Sequence, residues 1–234
     1  PSYDKTKLRE LLSSSVDIIN SKRYGEITLL VLGDLIESFS GLNHPSTWRE
    51  LESHGAGAVI GVFEMFCRNI FDRIGNIKNV YVVSGNHDRT TPDKGDMFGD
   101  GAGLFAYLMR LRYPHINIDY DPLMARFSID NVFYLGHHGN YFKGKKPYDI
   151  AFDYGDQQKI NIVVSAHEHH RDDMSRISKE KKGINVDTMR VRGVKIPSFV
   201  TGNFYSQSLG AHSNPGLTIF EHSYGNVQVL QYSL

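Results

Sequence analysis

Four times in this chain an apolar run rich in β-formers stops and is followed almost at once by Asp, Asn or His. Ile27 to Leu32 (ITLLVL) gives way to Gly33-Asp34, and Val80 to Val83 leads through Ser84-Gly85 into Asn86-His87-Asp88-Arg89. Val132 to Leu135 (VFYL) runs into Gly136-His137-His138-Gly139, and Ile160 to Ser165 (INIVVS) into Ala166-His167-Glu168-His169-His170. Continuous apolar runs of this length suit parallel strands covered on both faces. Ligands in such sheets gather beyond the carboxyl ends of the strands. The pattern therefore predicts an α/β fold whose chemistry arrives on strand ends spread along most of the sequence.

The intervening segments fit that frame. Leu8, Leu11, Leu12, Val16 and Ile19 recur at helical spacing, which predicts an amphipathic helix over 4–20 that packs on a sheet. Residues 38–57 mix Gly, Pro, His and the only Trp, and read as a long loop near the site with a helical turn around Trp48 to Leu51. Residues 58–74 are apolar around most of the circumference and predict a buried helix. A further helix is expected over 104–113, strands over 114–120 and 124–129, and a hairpin from the latter to Val132 across Asp130-Asn131. Lys143 to Lys146 (KGKK) reads as a short basic loop and Arg171 to Lys182 as a charged, mobile excursion. Short β-like runs at 189–191, 198–201, 217–221 and 227–231 predict a second sheet.

Composition narrows the class. A chain of 234 residues, 40% hydrophobic and 12% aromatic, suits one domain with a sizeable core. Lys+Arg and Asp+Glu balance at 26 each, so no global basic field announces nucleic acid, and such a contact would rest on local patches. The single Cys67 forms no intramolecular disulfide, and no run is apolar enough to serve as a signal or a membrane span. A reducing, cytoplasmic setting is the resulting expectation, with no membrane partner.

The ordered set of strand-end residues resembles the calcineurin-like metallophosphoesterases. Their fingerprint is D-x-H, then G-D, then G-N-H-D/E, then H-G, then G-H-x-H, each at a strand end. Here Gly33-Asp34, Gly85-Asn86-His87-Asp88, His138-Gly139 and Ala166-His167-Glu168-His169 follow that order. Ala166 stands where the family has Gly, and no D-x-H precedes Gly33-Asp34. The resemblance spans nearly the whole chain. It implies a two-sheet, four-layer α/β sandwich with helices outside, over residues 1–234 as a single domain lacking its first strand.

It also implies a chemistry. Phosphate esters resist hydrolysis because the nucleophile meets an anionic centre and the leaving alkoxide is poor. Two divalent ions about 3.5–4 Å apart address both problems, activating water near neutral pH and clamping the phosphoryl oxygens. By the family's pattern Asp34 bridges both ions, Asn86, His138 and His167 hold one, and His169 helps to hold the other. His87 then contacts the phosphate and protonates the leaving oxygen, with Asp88 orienting its ring and Arg89 adding a phosphate contact. Mixed oxygen and nitrogen ligands without thiolate favour Mn, with Fe or Zn as alternatives. His137 and His170 are the neighbours that the pattern leaves aside.

The implied function is hydrolysis of phosphodiesters. A DNA-processing nuclease like the repair exonucleases of the family stands first, and a nucleotide or small-molecule phosphodiesterase or phosphatase second. A different class is a non-catalytic accessory subunit that keeps the fold without its metals. The missing D-x-H favours that class, while the joint presence of Asp34, Asn86, His87, His138, His167 and His169 opposes it.

Overall fold

The computed structural model describes residues 5–43, 45–49, 51–91, 100–167, 172–177, 189–199 and 215–234. The fold is mixed α/β, and the chain forms two compact units, Ser2–Ala125 and Arg126–Leu234.

In the first unit a three-stranded sheet has the order β1-β2-β3, from β1 (Ile27–Leu32), β2 (Ile77–Val83) and β3 (Asn117–Asp121). Both pairings are parallel. Leu32 lies opposite Val83 and Val83 opposite Asp121, so the three strands end level with one another. Everything that follows them leaves from one edge. Val80 and Val82 are fully buried, as expected of a central strand covered on both faces.

The covering helices are α1 (Lys5–Lys22), α3 (Gly55–Phe66) and α4 (Gly101–Arg112), with a single turn, α2 (Pro45–Trp48), between β1 and α3. Helix α4 buries Gly101, Phe105 and Met109 at four-residue spacing, the stripe a helix needs to lie on a sheet. Its N-cap is Asp100, whose carboxylate accepts the Gly103 N–H at 2.8 Å. The helix expected over 58–74 starts earlier, at Gly55, and changes winding at Cys67. Residues Cys67–Phe71 form a π-helical turn, which inserts an extra residue per turn. Only Val59 of α3 is buried, and Ile60 is 46% exposed, so its apolar circumference is not matched by complete burial.

The second unit carries a five-stranded sheet of order β4-β5-β6-β8-β7 and a two-stranded ladder, β9-β10. Its members are β4 (Ala125–Ile129), β5 (Val132–His137), β6 (Ile160–Ser165), β7 (Asp172–Ile177) and β8 (Arg190–Lys195), with β9 (Gly216–Ser223) and β10 (Asn226–Ser233). The β4–β5 hairpin turns at Asp130, which takes φ +51° as tight hairpin turns require. Strands β5, β6 and β8 are parallel, with His137 opposite Ser165 and Ser165 opposite Lys195. Their ends are therefore level too.

Three sequence expectations are corrected here. Within the charged segment 171–182, Asp172–Ile177 form a strand, β7, paired antiparallel with β8, while 171 and 178–182 lie outside the described residues. The run around 189–191 extends to Lys195 and lies beside β6 in the same sheet, where central pairing outweighs its three charged residues. A helix absent from the sequence reading, α5 (Pro147–Tyr154), opens with Pro at its first position after Lys146. The described part of the run expected over 198–201 is not strand. Among the described residues no helix is long and apolar enough to cross a membrane.

Candidate active site

Two left-handed residues in succession end β1. Gly33 has φ +79° and Asp34 φ +52°. Gly33 has no substitute, because a Cβ there would lie 2.6 Å from Gly85 Cα. Gly85 is under the same constraint, since its own Cβ would lie 2.7 Å from Asp34 Cγ. The two glycines let the ends of β1 and β2 approach until the side chain of Asp34 reaches the next loop. There Asp34 Oδ1 accepts the backbone N–H of His87 at 3.0 Å.

The loop Gly85–Arg89 is held from several directions. Asp88 is fully buried, and its carboxylate accepts N–H groups from Asp34 at 2.8 Å, Leu35 at 2.9 Å, Ile36 at 3.4 Å and Gly85 at 2.8 Å. The position expected to orient His87 thus carries a backbone clamp between the two strand ends. The His87 ring, half-exposed, places Nδ1 2.7 Å from the Glu37 carbonyl oxygen and 3.7 Å from Glu37 Oε1. A carbonyl only accepts, so Nδ1 carries the proton of that hydrogen bond. Arg89 is 8% exposed. Below the loop, Tyr120 Oη donates to Asp100 Oδ1 at 2.9 Å and lies 3.0 Å from Ser84 Oγ. Burial pushes the Tyr120 hydroxyl pKa up, keeping it a donor.

The second unit brings two histidines together. His137 and His138 are consecutive at the end of β5 and therefore point to opposite sides. His137 packs on Phe142, ring centroids 4.7 Å apart, and its buried nitrogens have no hydrogen-bond partner among the described residues. Burial, with the adjacent His138, lowers its pKa to about 4, so the ring is neutral. His138 turns the other way, and its Nε2 is 3.1 Å from Nδ1 of His167. His167 takes φ +64° one residue past Ala166, whose N–H is bonded to the His138 carbonyl at 3.2 Å. Gly139, at φ +122°, lies where a Cβ would press on His167 Cβ at 3.1 Å.

That pair fits a metal. Two imidazole nitrogens each about 2.0–2.1 Å from one ion, in tetrahedral or octahedral geometry, stand roughly 2.9–3.4 Å apart. The observed 3.1 Å falls in that interval. His169, Glu168 and His170 lie outside the described residues, as does His44. His54 accounts for itself structurally, packing at 4.4 Å on the Trp48 ring. Cys67 is buried, and burial pushes its thiol pKa up, away from reactivity. Of the basic loop, Lys145 pairs with Asp153 at 3.1 Å, while Lys143 and Lys146 are exposed.

Glu37, Asn43, Asp100 and Tyr120 escaped the sequence reading. Glu37 follows Asp34 by three residues, a spacing that brings a carboxylate back to the strand end. Asp100 carries a local signal as a helix N-cap, whereas Asn43 and Tyr120 carry none, because their partners lie far away in sequence.

The described fold is thus mixed α/β, with Asp, Asn and His delivered by parallel strand ends. No protein-family model matches the sequence, and no curated protein matches it. The chain is similar to solved structures at low identity. One, described as a predicted phosphoesterase from Streptococcus pneumoniae TIGR4, is 10% identical over 88% of each chain with a TM-score of 0.38. Vps29 from Chaetomium thermophilum is 10% identical over 88% of this chain and 94% of that one, TM-score 0.40. Vacuolar Protein Sorting 29 from Cryptosporidium parvum is 16% identical over 90% and 100%, TM-score 0.37.

Proposed function

We propose that this chain is a metal-dependent phosphoesterase of the calcineurin-like kind, which hydrolyses phosphodiesters with two divalent ions. Asp34, Asn86, His138, His167 and His169 are its ligands, with Mn the favoured ion and Fe or Zn the alternatives. The observation that carries the reading is the 3.1 Å approach of His138 Nε2 to His167 Nδ1 just past two level strand ends. When bound, the ions supply Lewis acidity toward the phosphoryl oxygens and a water acidified to near neutral pH.

The protein's own groups do the rest. Asp34 is oriented by its left-handed backbone and by the His87 N–H. His87, anchored through its Nδ1–H, acts as general acid when Nε2 is protonated as well: the Nε2 proton passes to the leaving oxygen and the ring is left neutral with its proton on Nδ1. Asp88 keeps the two strand ends at fixed separation, and Arg89 adds a contact to the phosphate. DNA is the phosphodiester we favour. Lys143 and Lys146, exposed a few residues past His138-Gly139, suit a polyanionic backbone. A nucleotide or small-molecule phosphodiesterase is the second reading, favoured by the balanced net charge.

The test is hydrolysis of a generic aryl phosphodiester by the full chain. Activity should vanish on chelation, return with Mn, and be abolished by Asp34→Asn. Full activity in Asp34→Asn would remove the bridging assignment, and activity that survives chelation would remove the metal-dependent reading.

A further inference from the structure

The loop that carries Asn86 and His87 is held through its carbonyl oxygens as well as through Asp88. Asn43 Nδ2 lies 3.0 Å from the Asn86 carbonyl and 3.3 Å from the Arg89 carbonyl, so one amide bridges both ends of the four-residue loop. Asn43 is itself 5% exposed, and its own carbonyl accepts from Ser38 Oγ. Ser40 Oγ donates to the Thr90 carbonyl next in line, and Gly101 N–H donates to the Asp88 carbonyl at 2.7 Å. Four carbonyls of the segment 86–90 are therefore met by donors from two other parts of the chain.

From this geometry we propose that Asn43 is a positioning residue for Asn86 and His87, resting on the phosphoesterase reading above. An amide has two N–H donors in one plane, and here both acceptors flank the peptide units of His87 and Asp88. Fixing the Asn86 carbonyl fixes the peptide plane between Asn86 and His87. That plane sets where the Asn86 side chain leaves the backbone, and it aims the His87 N–H at Asp34 Oδ1. It also sets the base of the imidazole, whose Nδ1 must reach the Glu37 carbonyl. Partners of this outer kind change metal affinity by about 10–100-fold when removed.

The experiment replaces Asn43 by Asp, of equal shape but without the donors, and by Ser, which is too short to bridge. Mn2+ affinity is read by calorimetry, and the His87 tautomer by nitrogen NMR in the metal-free protein. Asn161→Asp serves as a control, because Asn161 is a fully buried amide that also bridges two carbonyls, of Asp156 and Lys159. The Asn43 variants should bind Mn2+ about 10-fold more weakly and lose part of the Nδ1–H tautomer of His87. Turnover should fall at unchanged KM, more for alkyl than for activated aryl esters. The control should lower the melting temperature and leave Mn2+ affinity and the His87 signals unmoved. Mn2+ affinity within twofold of wild type together with an unchanged His87 tautomer would overturn the proposal, as would equal effects from Asn161→Asp. A wild-type protein that takes up no Mn2+ overturns the dinuclear reading instead, and the role of Asn43 then stands or falls on the His87 signals alone.

Discussion

The Asp88 carboxylate and the Asp34 backbone N–H are 2.8 Å apart across a sequence separation of 54 residues. Three more N–H groups converge on the same carboxylate, so this buried anion joins two strand ends. Asp88→Ala would leave those donors buried without an acceptor and should cost about 3 kcal/mol or more of stability. Asp88→Asn keeps one acceptor oxygen and should cost less, about 1–2 kcal/mol. Urea midpoints of the two variants decide it: equal and small losses would mean the clamp contributes little.

His87 and His167 should fail in different ways. His87→Asn is expected to keep its metal content and to lower turnover roughly 100-fold or more, the range of a lost general acid. The loss should shrink for esters whose leaving group is already acidic, since these need no proton. His167→Asn should release metal and harm all substrates alike. Metal analysis beside a leaving-group series separates the two, and metal loss from His87→Asn would reassign that residue as a ligand.

His137 makes stability of the metal-free protein depend on pH. Its folded pKa, about 4, lies below its ordinary 6.5, so the unfolded chain takes up the proton first. Stability contributed by the neutral ring is intact above pH 6.5, declines as pH falls, and levels off near pH 4. At 1.36 kcal/mol per unit the full loss is about 3 kcal/mol, of which about 2 kcal/mol is gone by pH 5. His137→Phe should flatten the stability profile between pH 7 and 5 by that amount. Parallel profiles for wild type and variant would contradict the assignment.

In the second unit Tyr134 Oη lies 2.7 Å from Nε2 of His222 in the β9–β10 ladder. Burial pushes the Tyr134 hydroxyl pKa up, so it stays the donor, and burial pulls the His222 pKa down. Tyr134→Phe should therefore cost about 1 kcal/mol, the net worth of one such bond. Protection of the Phe220 and His222 amides in hydrogen exchange should fall with it, and unchanged protection would show that the bond does not fasten the ladder.

Strands β1, β5 and β6 were legible because each is a mainly apolar run rich in β-formers and closed by Gly or a small residue, and their boundaries agree within two residues. Strand β7 was not, since DDMSRI has neither alternation nor a continuous apolar run. It is a strand because β8 offers it a ladder, a tertiary effect that overrides propensity. The same divide runs through the candidate site. The residue types at the strand ends could be read directly. The tasks of Asp88 and Asn43 could not, because both depend on which backbone groups another loop presents.

Asp34 and His167 both sit in left-handed backbone. Outside glycine that conformation is taken most readily by Asn, Asp and His, so the residue types suited to hold a cation are also among those best tolerated by the local fold. Selection for folding alone and selection for metal uptake would then share most of their solutions at these two positions. They part at Asp34→Asn, which satisfies the backbone and surrenders the charge. A library randomised at position 34 and sorted only for solubility should be enriched in Gly, Asn and Asp together, and sorting the survivors on Mn2+ should retain Asp alone.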